Sequence, residues 1–244
     1  MGARDRASAR GRLPLPDSRS RSPRRLSSRV TRLLAEHLAA MVVPPRTLIC
    51  ASAVGWYGNR SDDTLNEDEP AGDDFFAEVV RDWEAACEPA VAAGIRVVNL
   101  RFGIVLSPQG GALRRMLPPL FAPLGAGSIG GGQQWWSWIA MDDAVGAIHH
   151  ALCDQRLRGP YNIVAGAVRQ RDFATTVGRV LRRPAVIPLP RFAVSGAMGE
   201  MGWLLLLGST RVSPERLAAS GYRFRLPELE DALRHLLGRR EFEV

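Results

Sequence analysis

Ser52 and Tyr57 are the residues whose types and spacing best suit chemistry on a bound molecule. Ser52 lies near the end of an apolar run, residues 47–54, which is typical of a strand buried on both faces of a parallel sheet. Ligands of open α/β sheets bind beyond the carboxyl ends of such strands, and the turn at residues 55–58 brings the Tyr57 phenol to the same edge. The pattern fits a structural serine as well as a serine that positions a reacting oxygen.

Arg101 lies partway along a second apolar run, residues 96–106, which predicts another buried strand. A guanidinium in such a place needs an anionic or hydrogen-bonding partner, because burying an unpaired charge is costly. The sequence leaves two partners open for Arg101: a carboxylate of the protein itself or a phosphate of a ligand.

His149, His150 and the acidic pair Asp142 and Asp143 are the other candidates for chemistry. Adjacent helical residues point about 100° apart, so the two histidines cannot share a metal ion as an i, i+4 pair would, and no metal site is predicted. The two aspartates could exchange protons with a substrate, but acidic residues at a helix start usually serve as cap and dipole partners. Capping is the favoured interpretation.

Two glycine patterns resemble phosphate-binding loops: G-x-G-x-x-G at residues 125–130 and G-x-x-G-x-x-G at residues 196–202. Such a loop works between a strand and a helix whose N-terminus faces the phosphate. Neither pattern follows a predicted strand, so neither is expected to bind a dinucleotide. All 32 basic residues are Arg, and the lack of Lys excludes Schiff-base chemistry, a P-loop lysine and the Tyr-x-x-x-Lys pair of reductases.

By charge and composition, most of the chain is typical of a globular protein, whereas its N-terminal residues are not. Residues 1–25 carry six of the seven net positive charges, so the remainder is nearly neutral and nucleic-acid binding is not expected. Residues 1–26 contain few apolar side chains and are predicted to be disordered, with a transit peptide or an RNA-associated tail as alternatives. No apolar run reaches the roughly 20 residues of a membrane helix. Three scattered cysteines favour reduced thiols and a cytoplasmic location.

Hydrophobic periodicity predicts the elements that must position these residues. The first are a helix over 30–41, a strand over 47–54, a helix over 75–91 that Asp73 or Asp74 caps and Gly94 ends, and a strand over 96–106. The two strands and the helix between them predict a parallel unit. The later elements are a proline-broken helix (112–124), a strand (134–141), a helix from Asp142 or Asp143 to 153, a strand (161–164), a helix (171–181), a strand (186–189) and two helices ending near 237.

Five ordered blocks of the sequence resemble a known family. They read CASAVGWYG, LRFGIVLSPQGGAL, WSWIAMDDAVGAI, GPYNIV and VSPERLAASGYRFRLPELEDAL, and they occupy residues 50–58, 100–113, 136–148, 159–164 and 212–233. From residue 28 to about 237, the chain is similar to the epimerase-like group of atypical extended short-chain dehydrogenases/reductases, which carry a C-terminal domain of unknown function.

The resemblance implies an α/β fold, namely an incomplete Rossmann-type doubly wound parallel sheet (its C-terminal half) with a small α/β C-terminal lobe. We expect a tail at residues 1–26, a partial NAD(P)-binding domain at 27–155 and a substrate lobe at 156–240. By position, the resemblance also implies roles for individual residues. The residues implied to act on the reacting oxygen are Ser52 and Tyr57, and those implied to bind the cofactor are Ser52, Phe102, Gly103 and Ile104. The residues implied to bind the substrate are Arg101, Trp138 and Asp142.

Departures from the family pattern bear on activity. Members of the group begin with a strand, a glycine-rich turn and a helix that hold the dinucleotide, and this sequence lacks them; we expect an N-terminally truncated member with weakened NAD(P) binding. The Tyr-x-x-x-Lys pair falls on Phe76 and Val80 when Glu84 is aligned, and Ala140 stands where relatives commonly have His.

Two functions are predicted from the sequence. One is an NAD(P)-dependent epimerase or oxidoreductase that acts on a nucleotide-sugar-like small molecule and is impaired by the missing segment. The alternative is a non-catalytic binding or interaction remnant of the same fold. In either case the free edge of the strand at 47–54 is expected to favour self-association, because unpaired edges recruit other chains.

Overall fold

The protein, described by a computed structural model, has an α/β architecture. The structure describes residues 23–120, 126–129, 131–184, 187–189 and 208–239. Its α-helices are α1 Pro23–Ala39, α2 Phe75–Ala85, α3 Glu88–Ala92, α4 Gly111–Leu120, α5 Met141–Cys153, α6 Gln170–Leu181, α7 Glu215–Ala219 and α8 Leu229–Leu236. Its strands are β1 Thr47–Ala53, β2 Thr64–Leu65, β3 Arg96–Phe102, β4 Ile104–Leu106, β5 Ala126–Ile129, β6 Trp135–Ala140, β7 Gly159–Ile163, β8 Gly166–Arg169, β9 Ile187–Leu189 and β10 Arg211–Val212.

The central sheet has the strand order β1-β3-β7, with both pairings parallel. Helices cover both of its faces: Val97 packs with Ala35 of α1, whereas the next residue, Val98, packs with Ala147 of α5. This alternation follows from the two-residue period of a strand, and it explains why the strands are apolar throughout. The predicted doubly wound α/β sheet is confirmed. Within the described ranges, β1 pairs on one side only, with β3.

Gly103 divides the long strand predicted at 96–106 into β3 and β4, so the prediction of one continuous strand is wrong. A Cβ at this position would lie 2.5 Å from the Ser137 carbonyl oxygen and 2.8 Å from the Val164 side chain. The chain can leave the central sheet here because a glycine allows this close approach. After Gly103, β4 pairs in parallel with β6, which pairs with β8 in the antiparallel sense.

The helix predicted at 75–91 is two helices, α2 and α3. Pro89 lies in the first turn of α3, where its missing N–H costs nothing, whereas inside a continuous helix it would break a hydrogen bond. Asp74 caps α2, as predicted, by accepting the backbone N–H of Ala77 at 2.9 Å. Gly94, with a φ of +81°, follows α3 as predicted.

Asp142 and Asp143 do not cap α5, contrary to prediction. The N-cap residue is Ala140, and no side chain caps this end. Asp143 is fully buried, and its carboxylate accepts the backbone N–H groups of Arg225 and Leu226 at 2.8 and 3.0 Å. It therefore anchors the segment ahead of α8 to the start of α5.

Other boundaries also differ from the expectations. Residues 23–26 belong to α1, so the predicted disorder through residue 26 is wrong for its last four residues, and residues 1–22 lie outside the described part. Pro118 does not break α4, which runs on to Leu120. Leu113, in the first turns of α4, is buried in the core against β4.

In the first glycine pattern, residues 126–129 form β5, which pairs with β9. Gly125, Gly130 and the whole pattern at 196–202 fall outside the described residues.

The strand predicted near residues 161–164 is β7, and it pairs with β3 in the central sheet. The predicted strand at 134–141 and helix at 171–181 are confirmed as β6 and α6. No helix in the described part of the chain is long and apolar enough to cross a membrane.

Candidate functional site

A cavity of about 440 Å³ opens beyond the carboxyl end of β1, where the chain leaves the central sheet. It also borders the start of β4 and the first turn of α2. Most of its wall is apolar and aromatic: Val54, Phe75, Phe76, Ile104, Trp135 and Trp136. Polar side chains on the wall are Asn59, Asp74, Ser137 and Thr210. The carboxyl ends of parallel strands are where α/β proteins bind ligands, so this cavity is the candidate site.

Ile104 is the predicted site residue that lines this cavity, and Gly103 precedes it in the chain. Ser52 lies two residues before the lining residue Val54, at the end of β1. The other predicted residues are placed elsewhere, and their contacts explain why.

Ser52 is 4% exposed, and its hydroxyl donates to Glu84 Oε1 at 2.5 Å. β1 brings it opposite Arg101 of β3 in the parallel register. The serine is therefore part of a buried polar contact with α2, and its oxygen retains lone pairs that can accept a further hydrogen bond.

Arg101 is paired with a carboxylate of the protein, one of the two partners that the sequence left open. Its Nε and Nη2 donate to the two oxygens of Glu84 at 2.8 and 2.9 Å, and its guanidinium lies 3.9 Å from the centre of the Trp56 ring. Burial alone would lower the pKa of Arg101, but hydrogen bonds and charge from Glu84 more than offset it, so that pKa is raised. Arg101 does not line the cavity, and its contact with a substrate stays a prediction.

Tyr57 is fully buried, and its hydroxyl donates to Asn162 Oδ1 at 2.7 Å while accepting from Arg101 Nη1 at 3.2 Å. Burial raises the pKa of Tyr57, and the nearby charge of Arg101 opposes that rise only in part. The phenol is thus a protonated link between β3 and β7. It does not line the cavity.

Glu84 and Asn162 complete this network, although neither was predicted to be a site residue. A signal for Glu84 was present: it follows Phe76 and Val80 at four-residue steps, on the helix face that turns inward. A carboxylate on a buried face is the partner that a buried Arg requires. Asn162 carried no comparable signal, because its partners are distant in sequence.

Trp138 and Asp142, predicted to border the substrate, do not line the cavity. Trp138 is buried, and its Nε1 has no hydrogen-bond partner within the described structure. The Asp142 carboxylate is half-exposed and lies 3.2 Å from Nε2 of His235 in α8. Phe102, at the end of β3, is half-buried and packs with the cluster around α5.

Charged side chains surround Trp135 and form a rim at the cavity, called here the rim at Trp135. The guanidinium carbons of Arg169 and Arg211 lie 4.3 and 4.5 Å from its ring centre. Its indole N–H donates to Asp62 at 3.0 Å, and this bond, together with Arg169, holds the pKa of Asp62 below its ordinary value. Two cations against one indole beside a cavity can bind an anionic group. Only the fold brings these residues together.

The histidine pair has local contacts. His149 Nε2 lies 3.6 Å from the Cys153 sulfur, and His150 Nε2 lies 2.9 Å from the Ser220 hydroxyl. Within the described ranges, no three His, Cys, Asp or Glu side chains are grouped as metal ligands.

Comparison with family models gives two matches along the chain. The NAD dependent epimerase/dehydratase family matches residues 23–164, which include the central sheet and most of the residues that line the candidate cavity. The Domain of unknown function (DUF1731) matches residues 189–236.

Individual relatives agree with these matches. An epimerase family protein of Mycobacterium bovis is 43% identical over 188 residues, which are 77% of this chain and 62% of that protein. The human epimerase family protein SDR39U1 (isoform 2), solved with NADPH, is 35% identical, with a TM-score of 0.81 over 88% of this chain and 72% of the human chain. A nucleoside-diphosphate sugar epimerase of Corynebacterium glutamicum is 36% identical, with a TM-score of 0.74 over 93% of this chain and 45% of that chain.

Proposed function

Because this chain belongs to the NAD dependent epimerase/dehydratase family, we propose that it binds a nucleotide-sugar-like small molecule in the cavity beyond β1 and takes part in NAD(P)-linked chemistry on it. The observation that carries the proposal is the junction of an apolar, aromatic cavity with the cationic rim at Trp135.

The cavity and its rim suit the two halves of such a ligand. Aromatic walls stack on planar or ring-shaped groups, and Phe75, Phe76 and Trp136 provide them. A phosphate needs charge-assisted hydrogen bonds, and guanidinium groups supply these in a forked geometry. Arg211 is exposed and Arg169 is already paired with Asp62 at 2.8 Å, so Arg211 is the stronger candidate for the ligand.

The residues at this edge of the sheet suit the nicotinamide part of NAD(P) but not its pyrophosphate. Val54, Gly55 and Ile104 offer an apolar surface for a nicotinamide ring. Among the described residues that line the cavity, none carries the positive charge that a pyrophosphate requires, so no residue is assigned to that part of the cofactor. Bound NAD(P) would donate or accept a hydride. The roles proposed for the chain itself concern the substrate.

Ser52 is proposed to orient the reacting oxygen of the substrate. Its hydroxyl hydrogen is committed to Glu84, so Ser52 Oγ acts as an acceptor for a substrate hydroxyl. Tyr57 is proposed as a positioning residue, because its phenol is committed to Asn162 and it lies in the turn that leads out of β1. The catalytic role predicted for Tyr57 is not part of the proposal.

A second candidate function is a non-catalytic binding protein that keeps the same cavity. Its support is that both predicted catalytic hydroxyls donate to groups of the protein itself, at 2.5 Å for Ser52 and 2.7 Å for Tyr57. Such a protein would bind the ligand without transforming it.

Binding and turnover can be separated in one experiment. The purified chain, which has six Trp, is titrated with UDP-glucose and, separately, with NADPH and NADH, while its fluorescence is recorded. The main proposal predicts a saturable change with UDP-glucose and with a nicotinamide dinucleotide, and coupled loss or gain of reduced nicotinamide absorbance with a suitable substrate. Saturation by UDP-glucose alone supports the second candidate. Absence of any saturable change with UDP-glucose contradicts both.

A further inference from the structure

Two neighbouring layers of side chains join the central sheet to the helices on one of its faces. The first, called here the Glu84 layer, contains Ser52 of β1, Arg101 of β3 and Glu84 of α2. The second, called here the thiol layer, lies two residues earlier on each strand and contains Cys50, Asn99 and Cys87. Residues i and i+2 of a strand share a face. The Cys87 N–H, at the junction of α2 and α3, donates to the Glu84 carbonyl oxygen at 3.1 Å, so the two layers are adjacent.

Cys50 and Cys87 face each other in the thiol layer. Both are free thiols buried in the same apolar cluster, and the Cys87 sulfur donates to Asn99 Oδ1 at 3.8 Å. The Cys50 sulfur donates to the Ala51 carbonyl oxygen at 3.4 Å. The neighbouring Cys87 lowers the pKa of Cys50, although burial opposes this, and the neighbouring Cys50, followed by burial, raises the pKa of Cys87. Of the two thiols, Cys50 therefore loses its proton more readily than Cys87.

A second cavity gives a small molecule access to this layer. It has a volume of about 360 Å³, and Cys87, Asn99 and Glu84 are among its lining residues. It lies on the helix side of the sheet and shares no lining residue with the candidate substrate cavity. A peroxide is small enough to enter a space of this size.

We propose that Cys50 and Cys87 are a redox-sensitive pair that a peroxide converts into an intramolecular disulfide. Their placement in one buried layer, on two elements that already contact each other through Ser52 and Glu84, supplies the proximity that a disulfide needs. The modification goes beyond the ligand binding proposed above, because it requires neither a nucleotide nor a sugar.

The reaction balances with the peroxide as the only oxidant. A thiolate of the pair attacks one peroxide oxygen, the O–O bond breaks, and the leaving oxygen takes up a proton as water; that sulfur becomes a sulfenic acid. The second sulfur then attacks the sulfenic sulfur, the S–O bond breaks, and hydroxide leaves with the second thiol's proton as water. Two thiols and one hydrogen peroxide give one disulfide and two waters.

The expected consequence is a covalent link between β1 and the α2–α3 junction. The link would sit one turn from Glu84 and so hold the Glu84 layer in place. Cys153 offers an internal comparison, because it is exposed at the end of α5, with His149 as its neighbour. Exposure alone would make Cys153 the first thiol to react, whereas the proposal makes Cys50 and Cys87 the pair that cross-links.

Peptide mapping tests the proposal on the folded chain. The protein is treated with hydrogen peroxide, alkylated and digested with trypsin, which cuts here only after Arg because the chain has no Lys. Cys50, Cys87 and Cys153 then fall on separate peptides, residues 47–60, 82–96 and 116–156. The expected result is a linked 47–60/82–96 pair that dithiothreitol separates, and an intact mass lower by two hydrogens.

Three variants complete the test. Cys50→Ser and Cys87→Ser should each abolish the linked pair, whereas Cys153→Ser should retain it, with far-ultraviolet circular dichroism confirming that each variant is folded. Because Cys153→Ser keeps the thiol layer unchanged, its result stands even if a core variant fails to fold. Free Cys50 and Cys87 at a peroxide dose that oxidises Cys153, or their conversion to sulfinic acid without a link, would overturn the proposal.

Discussion

Glu84 holds Ser52 and Arg101 through the same oxygen: Oε1 accepts the Ser52 hydroxyl at 2.5 Å and Arg101 Nε at 2.8 Å. One carboxylate of α2 thereby fixes the carboxyl ends of β1 and β3, the two strands that lead to the candidate cavity. Two of the site residues predicted from the sequence, Ser52 and Arg101, are thus held by a carboxylate that was not itself predicted to belong to the site.

Replacing Glu84 by Gln should destabilise the protein strongly. Arg101 is 2% exposed, and removal of its counter-charge leaves a buried guanidinium unpaired, which costs about 3–5 kcal/mol in comparable ion pairs. Urea unfolding measures the change in the free energy of unfolding. Glu88→Gln is the matched control, since Glu88 is exposed on α3, and it should change that free energy by less than about 0.5 kcal/mol. Equal losses for the two variants would mean that the ion pair does not support the site.

Tyr57 should make the protein lose stability in alkaline solution. Its pKa is raised in the folded state, so above the ordinary tyrosine pKa of about 10 the unfolded chain binds fewer protons than the folded one. The free energy of unfolding therefore falls as the pH rises through that range and is unaffected by Tyr57 below it. Tyr57→Phe should show a smaller alkaline loss than the wild type, measured by urea unfolding at several pH values. Identical slopes for Tyr57→Phe and the wild type would contradict the prediction.

Gly103→Ala should disrupt the junction between β3 and β4. The new methyl group would lie 2.5 Å from a backbone oxygen of β6, which cannot move without shifting the strand, so a loss of about 2 kcal/mol or more is expected. Gly110→Ala provides the comparison, because nothing lies within 4 Å of a Cβ at that position. Thermal unfolding should separate the two variants clearly. A Gly103→Ala protein that melts with the wild type would show that β6 does not approach this residue so closely.

The sheet edge at β1 should promote self-association. β1 pairs only with β3 among the residues described, and Ala51 is exposed on it. Sedimentation velocity should reveal larger species as the concentration rises, and Ala51→Lys should reduce them because a charged side chain on an edge strand disfavours pairing. Ala92→Lys adds the same charge at an exposed position of α3 and should have no such effect. A wild-type chain that stays monomeric over the whole concentration range would count against this interface.

The elements that could be predicted are those whose signals are local. The apolar run at 47–54 and the cap at Asp74 each depend on a few consecutive residues, and both predictions are confirmed. Arg101 could be identified as a buried charge in need of a partner for the same reason, although its partner, Glu84, belongs to another element.

The features that could not be predicted depend on contacts between distant segments. Gly103 breaks a strand because of the Ser137 carbonyl on β6, and Asp143 binds backbone groups about 80 residues away, so neither role is encoded in the neighbouring residues. The rim at Trp135 is another case, because Arg169 and Arg211 reach the same indole from separate strands. Such sites become visible only once the topology is known.

Isothermal titration calorimetry with UDP-glucose is the most direct test of the proposed ligand site. It compares binding by the wild type, by Arg211→Ala and by Arg223→Ala. Arg211 stacks on the cavity-lining Trp135, whereas Arg223 is exposed elsewhere and serves as the control for a lost positive charge. We expect saturable binding by the wild type, an affinity about tenfold weaker for Arg211→Ala because one charge-assisted hydrogen bond is lost, and no change for Arg223→Ala. Equal affinities for all three proteins, or no binding by any of them, would contradict it.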